Sequence, residues 1–266
     1  MVCLFWLSWS ATLLASDQEG ALRLSPELLS FILALPAILL GIGLHEWAHA
    51  WTAWKLGDQT PEEEGRLSLN PLDHLDPLGT ILIVAGVLWR MPIIGWGKPV
   101  HVRPASFRRP IEDYMKVALA GPMMNLLIAG CSLIVLHGWS WASSSLGGAL
   151  PPALQRNLDT ALFQLIVLNF SLAAFNMIPI PPLDGSKVME NFVSAETIIL
   201  MRQIEPFGIV IIYLLMNSGV LNYPFGLVFA GVGVLMHSFS VSVTFLVLVG
   251  LAWHLLVRSF RRDLLV

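Results

Sequence analysis

The segment HEWAH at residues 45–49 places two imidazoles and a carboxylate inside an otherwise apolar run. LLSFILALPAILLGIGL precedes it, and AWTAW follows before the first lysine, Lys55. Ionisable side chains at membrane depth are costly and mark function by default. His45 and His49 are four residues apart, so on a helix they share one face about a turn apart. Two imidazoles so spaced can hold one zinc ion, with Glu46 beside them as base for a water molecule. The plainer reading, a hydrogen-bonded core histidine, suits a lone imidazole better than two imidazoles and a glutamate in a single turn.

A hydrolytic zinc site needs a third protein ligand and keeps a fourth position open. That ligand has to come from the same depth, and His45 lies about 15 Å of helix before Lys55. A second apolar stretch expected to run in the same direction, residues 160–178, leads into NMIPIPPLDG at 176–185. Pro179, Pro181 and Pro182 preclude a regular helix there, and Asp184-Gly185 reads as a tight turn. Broken backbone near a membrane is tolerated where it lines an enclosed or wet cavity. Asp184 is then either the third ligand or an aspartate capping an interfacial loop, and spacing leaves both open. His74, His101, His137 and His237 are isolated and read as ordinary packed or solvated histidines. Glu62, Glu63 and Glu64 read as a solvated face. Cys3 and Cys131 sit in apolar runs, which suits packing better than a disulfide or a cysteine metal site.

The elements that must position these groups follow from composition. Of the 266 residues, 56% are hydrophobic and only 12% charged, about half the charge of a soluble domain. The expected architecture is an α-helical membrane protein, a single polytopic domain over 1–266. Its catalytic core spans about 28–190, with peripheral helices at 2–15 and 207–257. Six spans are expected, at 2–15, 28–54, 114–137, 160–178, 207–222 and 225–257. The first reads as a retained helix, because it lacks a basic leader and Leu14-Ala15-Ser16 is a poor cleavage site. The last is too long for one upright helix and should tilt, or break near Gly231–Gly233 or His237-Ser238. Tryptophans 51, 54, 139, 141 and 253 fall near span ends, as interfacial anchors do.

Residues 78–96 test the count. Gly79, Gly86, Arg90, Pro92 and Gly95 make this apolar stretch a poor uninterrupted helix. If it does not span, the loops at 55–113, 184–205 and 258–266 share one side. Only Arg23 and Arg156 of the 15 Lys and Arg residues then fall opposite. The positive-inside rule therefore favours a re-entrant or hairpin segment, cytoplasmic termini in a cell membrane, and a site nearer the cytoplasmic face. The net charge of −3 and the lack of a basic tail give no reason to expect nucleic acid.

These residues together resemble the site-2 protease family (peptidase family M50) of intramembrane zinc metalloproteases, above all its small prokaryotic type without PDZ or CBS domains. HEWAH (45–49) is similar to the family's HExxH, and PPLDG (181–185) to its LDG element. GRLSLNPLDHLDPLGT (65–80), GWGKPVHV (95–102) and AGPMMN (120–125) also resemble its recurring stretches, so the likeness covers about residues 40–190. It implies that His45, His49 and Asp184 bind one Zn2+ and that Glu46 is the catalytic base. Asn125 would lie near the catalytic centre, contacting substrate or the oxyanion, against the plainer role of an interhelical hydrogen bond. Asn176 reads as structural. A membrane-associated β-hairpin would follow the metal helix, and the partners would be the lipid bilayer and a transmembrane protein substrate. The competing classes are a membrane metal transporter, which should offer a polar path to both faces, and an inactive scaffold, which should have lost a ligand or the base.

Overall fold

The computed structural model describes all residues except 1, 5–13, 17–21, 25, 90–92, 147–149 and 263–266. In chain order the elements are strands β1 (Val2–Leu4), β2 (Leu14–Ser16) and β3 (Leu22–Leu24), then helices α1 (Pro26–Lys55), α2 (Thr60–Glu63) and α3 (Pro77–Trp89). Strand β4 (Ile93–Gly95) precedes α4 (Pro110–Ser145), α5 (Pro152–Asn176), α6 (Asp184–Met189), α7 (Ala195–Ile204), α8 (Gly208–Asn217), α9 (Asn222–His237) and α10 (Phe239–Arg262). Among the described residues, five helical stretches are long and apolar enough to cross a membrane: Phe31–Lys55, Pro110–Ser145, Pro152–Asn176, Ala195–Asn217 and Phe239–Phe260.

The centre of the fold is the packing of α1, α4 and α5 on one another. Its contact faces are built from small residues: Ala37, Ala48, Ala50 and Ala53 on α1, and Ala118, Ala120 and Ala129 on α4, are all nearly inaccessible. Apolar burial drives helices together weakly when lipid is as apolar as leucine, so close backbone approach through small residues takes over. Gly41 is one such approach, since a Cβ there would lie 2.9 Å from the Leu172 side chain and 3.2 Å from Asn169 Oδ1. The outer helices carry far more exposed apolar surface, as lipid-facing elements must. At the other end of α1, Trp51 stacks on Trp253 of α10 at 6.1 Å. Two of the tryptophans expected as interfacial anchors therefore also pack helix on helix.

The segment after α1 folds back on itself. Leu75 pairs with Gly97, and Lys98 N–H donates to the His74 carbonyl at 2.8 Å. Gly79 lies so close to Trp96 that a Cβ would stand 2.3 Å from its carbonyl oxygen. The chain thus leaves and returns at one level. Helix α3, 13 residues and so about 20 Å long, falls short of a hydrocarbon core of about 30 Å. Buried Arg66 stitches the return in place, donating to the carbonyls of Asp73 and Lys98.

Several expectations need correction. The segment after α1 folds back, but it forms a helix and a three-residue strand rather than a β-hairpin. Strand β4 pairs antiparallel with β1 from the N-terminus, and Gly79 and Gly86 are accommodated within helix α3. Most of 2–15 lies outside the described residues, and its described ends are strands, not helix. The span placed at 207–222 begins earlier, at Ala195. Glu196, Arg202 and Glu205 interrupt the apolar run there, while Arg202 is partnered by Glu190 at 3.4 Å. The long stretch 225–257 is broken at Ser238, whose backbone is extended (φ −134°, ψ 108°). His137 and Ser242 both hydrogen-bond the Leu235 carbonyl beside that break.

Candidate metal centre

His45, Glu46 and His49 lie toward the C-terminal end of α1, and all three side chains are buried. Asp184 arrives from a separate element, α6. The proline-rich run after α5 cannot stay helical, so it turns back and starts α6 with Asp184 facing α1 and α4. Gly185 permits this turn: a Cβ there would lie 2.3 Å from the Met177 carbonyl oxygen.

The three groups converge. His45 Nε2 and His49 Nε2 are 3.0 Å apart, and Asp184 Oδ2 is 3.2 Å from each of them. For a tetrahedral zinc ion with bonds of 2.0–2.2 Å, neighbouring ligand atoms stand about 3.3–3.5 Å apart, so the triangle fits the ion with a shift of a few tenths of an ångström. Among the described residues, no other group of three or more such side chains could hold a metal ion.

The hydrogen bonds decide which lone pairs face inward. The amide nitrogen of Asn125 donates to the Gly41 carbonyl at 3.0 Å and to Asn169 Oδ1 at 2.9 Å. Asn169 is itself fixed by donating to the Leu165 carbonyl at 2.8 Å. Asn125 must therefore present its oxygen to His45, whose Nδ1–H donates to it at 2.6 Å. His49 Nδ1–H donates to the Val117 carbonyl at 2.7 Å. Both imidazoles thus carry their proton on Nδ1 and turn a bare Nε2 toward the other and toward a carboxylate. Three converging lone pairs repel one another unless a cation lies between them, so the donor set fits a divalent ion. When a proton rather than a metal ion fills that place, burial still works against the Asp184 charge, but protonated His49, with hydrogen bonds from the histidines, outweighs it and holds the carboxyl well below its usual range. The group is an anion, ready to ligate, through neutral and mildly acid conditions.

Of the two roles that the sequence offered it, Asn125 has the geometry of the interhelical hydrogen bond. It is fully buried, and both of its N–H groups are committed between helices, so neither is aimed at an oxyanion. It fixes the tautomer of His45 instead. Sequence reasoning missed Asn169 altogether; the available signal was a polar residue within the apolar run of α5. Asn176, expected to be structural, donates to the Leu172 carbonyl at 3.0 Å. His74 is packed, bound to the Ser68 carbonyl, and His101 is exposed and paired with Glu64 at 3.0 Å. Cys131 is a free thiol.

A cavity of about 90 Å³ opens onto the three groups. Pro99, Val100, Val102, Tyr114 and Val117 also line it, as do Glu46 and Lys187. Glu46 packs against Gly97, where a Cβ would lie 3.2 Å from its Cγ. Lys187 is one helical turn beyond Asp184, with Nζ 3.7 Å from Oδ1. Against the cost of burial, Asp184, Tyr114, Glu46 and Glu205 hold its ammonium above the ordinary value.

Comparison with known sequences agrees with this chemistry. The family model of peptidase family M50 matches residues 78–218, a segment that includes Asp184 and begins after the His-Glu-x-x-His turn. The chain is 35% identical over 190 residues to "Putative zinc metalloprotease YwhC" of Bacillus subtilis (strain 168), covering 70% of this chain and 80% of that one. It is 30% identical over 197 residues to "Putative zinc metalloprotease Rip2" of Mycolicibacterium smegmatis, covering 72% and 69%. A third relative, "Putative zinc metalloprotease MJ0611" of Methanocaldococcus jannaschii, is 30% identical over 165 residues, or 62% and 72% of the two chains. No solved structure matches the chain significantly. The match to the family model and the length of these alignments place the chain in peptidase family M50, the site-2 protease family, as a multi-pass membrane metalloprotease.

Proposed function

We propose that the protein hydrolyses a peptide bond within or near the transmembrane segment of a membrane-protein substrate. His45, His49 and Asp184 hold one zinc ion per chain, and Glu46 is the base. The reading is carried by the convergence of two bare imidazole nitrogens and a carboxylate oxygen at 3.0–3.2 Å on a buried cavity that Glu46 also lines. A bound zinc ion would supply Lewis acidity there, bringing the pKa of a water near 7 and polarising a carbonyl. Glu46 takes a proton from the attacking water as its oxygen bonds to the scissile carbonyl carbon. When the C–N bond breaks, Glu46 delivers that proton to the leaving amine. The hydrogen bonds from His45 to Asn125 and from His49 to the Val117 carbonyl keep both imidazoles in the required tautomer throughout.

Replacing Glu46 by Gln tests the reading. The reconstituted Glu46→Gln protein is expected to keep its zinc and to cleave a labelled single-span substrate about 10²–10⁴-fold more slowly. Cleavage at the wild-type rate would reject the assigned base, and zinc uptake into liposomes that survives the replacement would point to transport.

The substrate meets the cavity beside an extended edge. Among the described residues, the amides and carbonyls of Val100, His101 and Val102 have no backbone partner. A substrate helix must unwind to expose its scissile bond, and the freed strand can pair with this edge as an added β-strand. His101→Pro and Val102→Pro probe the edge's two sides. At least one should lower kcat/KM about 3- to 10-fold, the cost of a backbone hydrogen bond or two; unchanged cleavage by both would remove the edge from the mechanism.

We further read the chain as one polytopic domain of the cell membrane, with both termini and the cavity mouth toward the cytoplasm. The support is the clustering of Lys and Arg in the loops that a re-entrant 78–96 puts on one side.

A further inference from the structure

We infer that Lys187 is a catalytic residue: its ammonium donates a hydrogen bond to the scissile carbonyl oxygen as that oxygen becomes anionic. The inference rests on the cavity being the proteolytic site. Attack by water moves the carbonyl π pair onto oxygen. In so small a cavity that charge needs a donor already in place.

A census of side-chain donors around the cavity leaves few. Asn125 is committed to Gly41 and Asn169. The Nδ1–H groups of His45 and His49 are taken by Asn125 and Val117, and their Nε2 atoms carry no proton. Glu46 and Asp184 are acceptors. Tyr114 and Lys187 remain among the described lining residues.

Lys187 is the better placed of the two. Aspartate and lysine are three residues apart on α6, so the turn that delivers Asp184 also presents Lys187 on the same face. The side chain is 32% exposed. Its Nζ is 3.7 Å from Asp184, outside hydrogen-bond range, so its three N–H donors are not committed there. The oxygen it approaches is Oδ1, whereas Oδ2 faces the histidines. Lys187 therefore does not compete for the oxygen offered to the metal. The Tyr114 ring lies 5.8 Å from the ammonium and helps hold the cation at the cavity wall. A cation placed there stabilises the anionic transition state more than the neutral ground state, so its contribution belongs in kcat.

Lys187→Met and Lys187→Arg, made in the full chain and assayed in detergent on a labelled single-span transmembrane peptide, test the assignment. Lys187→Met should lower kcat about 10²–10³-fold while KM and zinc per chain stay at wild-type values. Lys187→Arg, which keeps the charge and the donors, should recover at least about tenfold of that loss. A phosphonamidate peptide, whose anionic oxygen mimics the tetrahedral species, should lose affinity for Lys187→Met by a similar factor, while a hydroxamate chelator should not. Three results overturn the assignment: a kcat within about threefold of wild type, zinc lost in step with activity, or undiminished phosphonamidate binding. Glu46→Gln, run in parallel, separates the two levels. An active Glu46→Gln protein defeats the reading of the cavity, and with it this inference; an inactive one beside a fully active Lys187→Met protein defeats the role of Lys187 alone.

Discussion

Replacing Asp184 by Ala is expected to abolish both zinc retention and proteolysis. The carboxylate is the only anion within reach of the two imidazole nitrogens among the described residues, and without it the site keeps two neutral ligands. Loss of an outer-sphere partner already costs zinc sites about 10–100-fold in affinity, and loss of a direct ligand that also carries the charge should cost more. Asp184→Asn separates the two contributions, because it keeps the shape of the side chain and removes its charge. The measurement is zinc per chain after dialysis against a chelator, with cleavage assayed in parallel. An Asp184→Ala protein that holds a full complement of zinc would show that the aspartate is a capping residue, the alternative that spacing left open.

Gly121→Ala should disable the site with the fold intact. Helix α4 crosses α1 so closely that a Cβ at residue 121 would lie 2.4 Å from His49 Nε2 and 2.6 Å from His45 Cε1. These are the edges of the rings that converge with Asp184, and Asn125 and Val117 hold the opposite edges in place. The rings cannot back away without breaking hydrogen bonds of 2.6 and 2.7 Å. Overpacking of this kind costs about 1–3 kcal/mol, tolerable for a helix in a membrane bundle. A displacement approaching 1 Å at the reacting centre costs about 10²-fold or more in rate. Zinc content and kcat should therefore fall while helix content by circular dichroism stays unchanged. Full zinc and full activity would mean that the helices part easily and that the close crossing is not what shapes the site.

The fold-back between Leu75 and Gly97 agrees with a charge count: if 78–96 ran on as one crossing helix, the positive-inside asymmetry would vanish. Its internal form was not legible. A helix of 13 residues and a short strand look much like a hairpin in a stretch where glycine and proline punctuate an apolar run, and β4 pairs with β1, which is distant in the chain. The start of the fourth long helical stretch was lost for another reason: charged residues in its first turns read as loop until Arg202 is seen paired with Glu190.

The sequence by itself determined the chemistry on offer. A fixed 3.6-residue period places His45 and His49 on one face, and the apolar surroundings make their presence there too costly to be incidental. Prolines 179, 181 and 182 require a break before Asp184, also a local consequence of the backbone. What only the tertiary structure decided is how the side chains are used once helices cross. Asn125 belongs to His45 because α4 and α5 bring Gly41, Asn169 and the imidazole around a single amide. Lys187 faces the cavity because α6 turns back under α4. Such assignments depend on contacts between residues 44 to 84 positions apart, and a local pattern carries no information about which distant partner will exhaust a donor and which will leave it free.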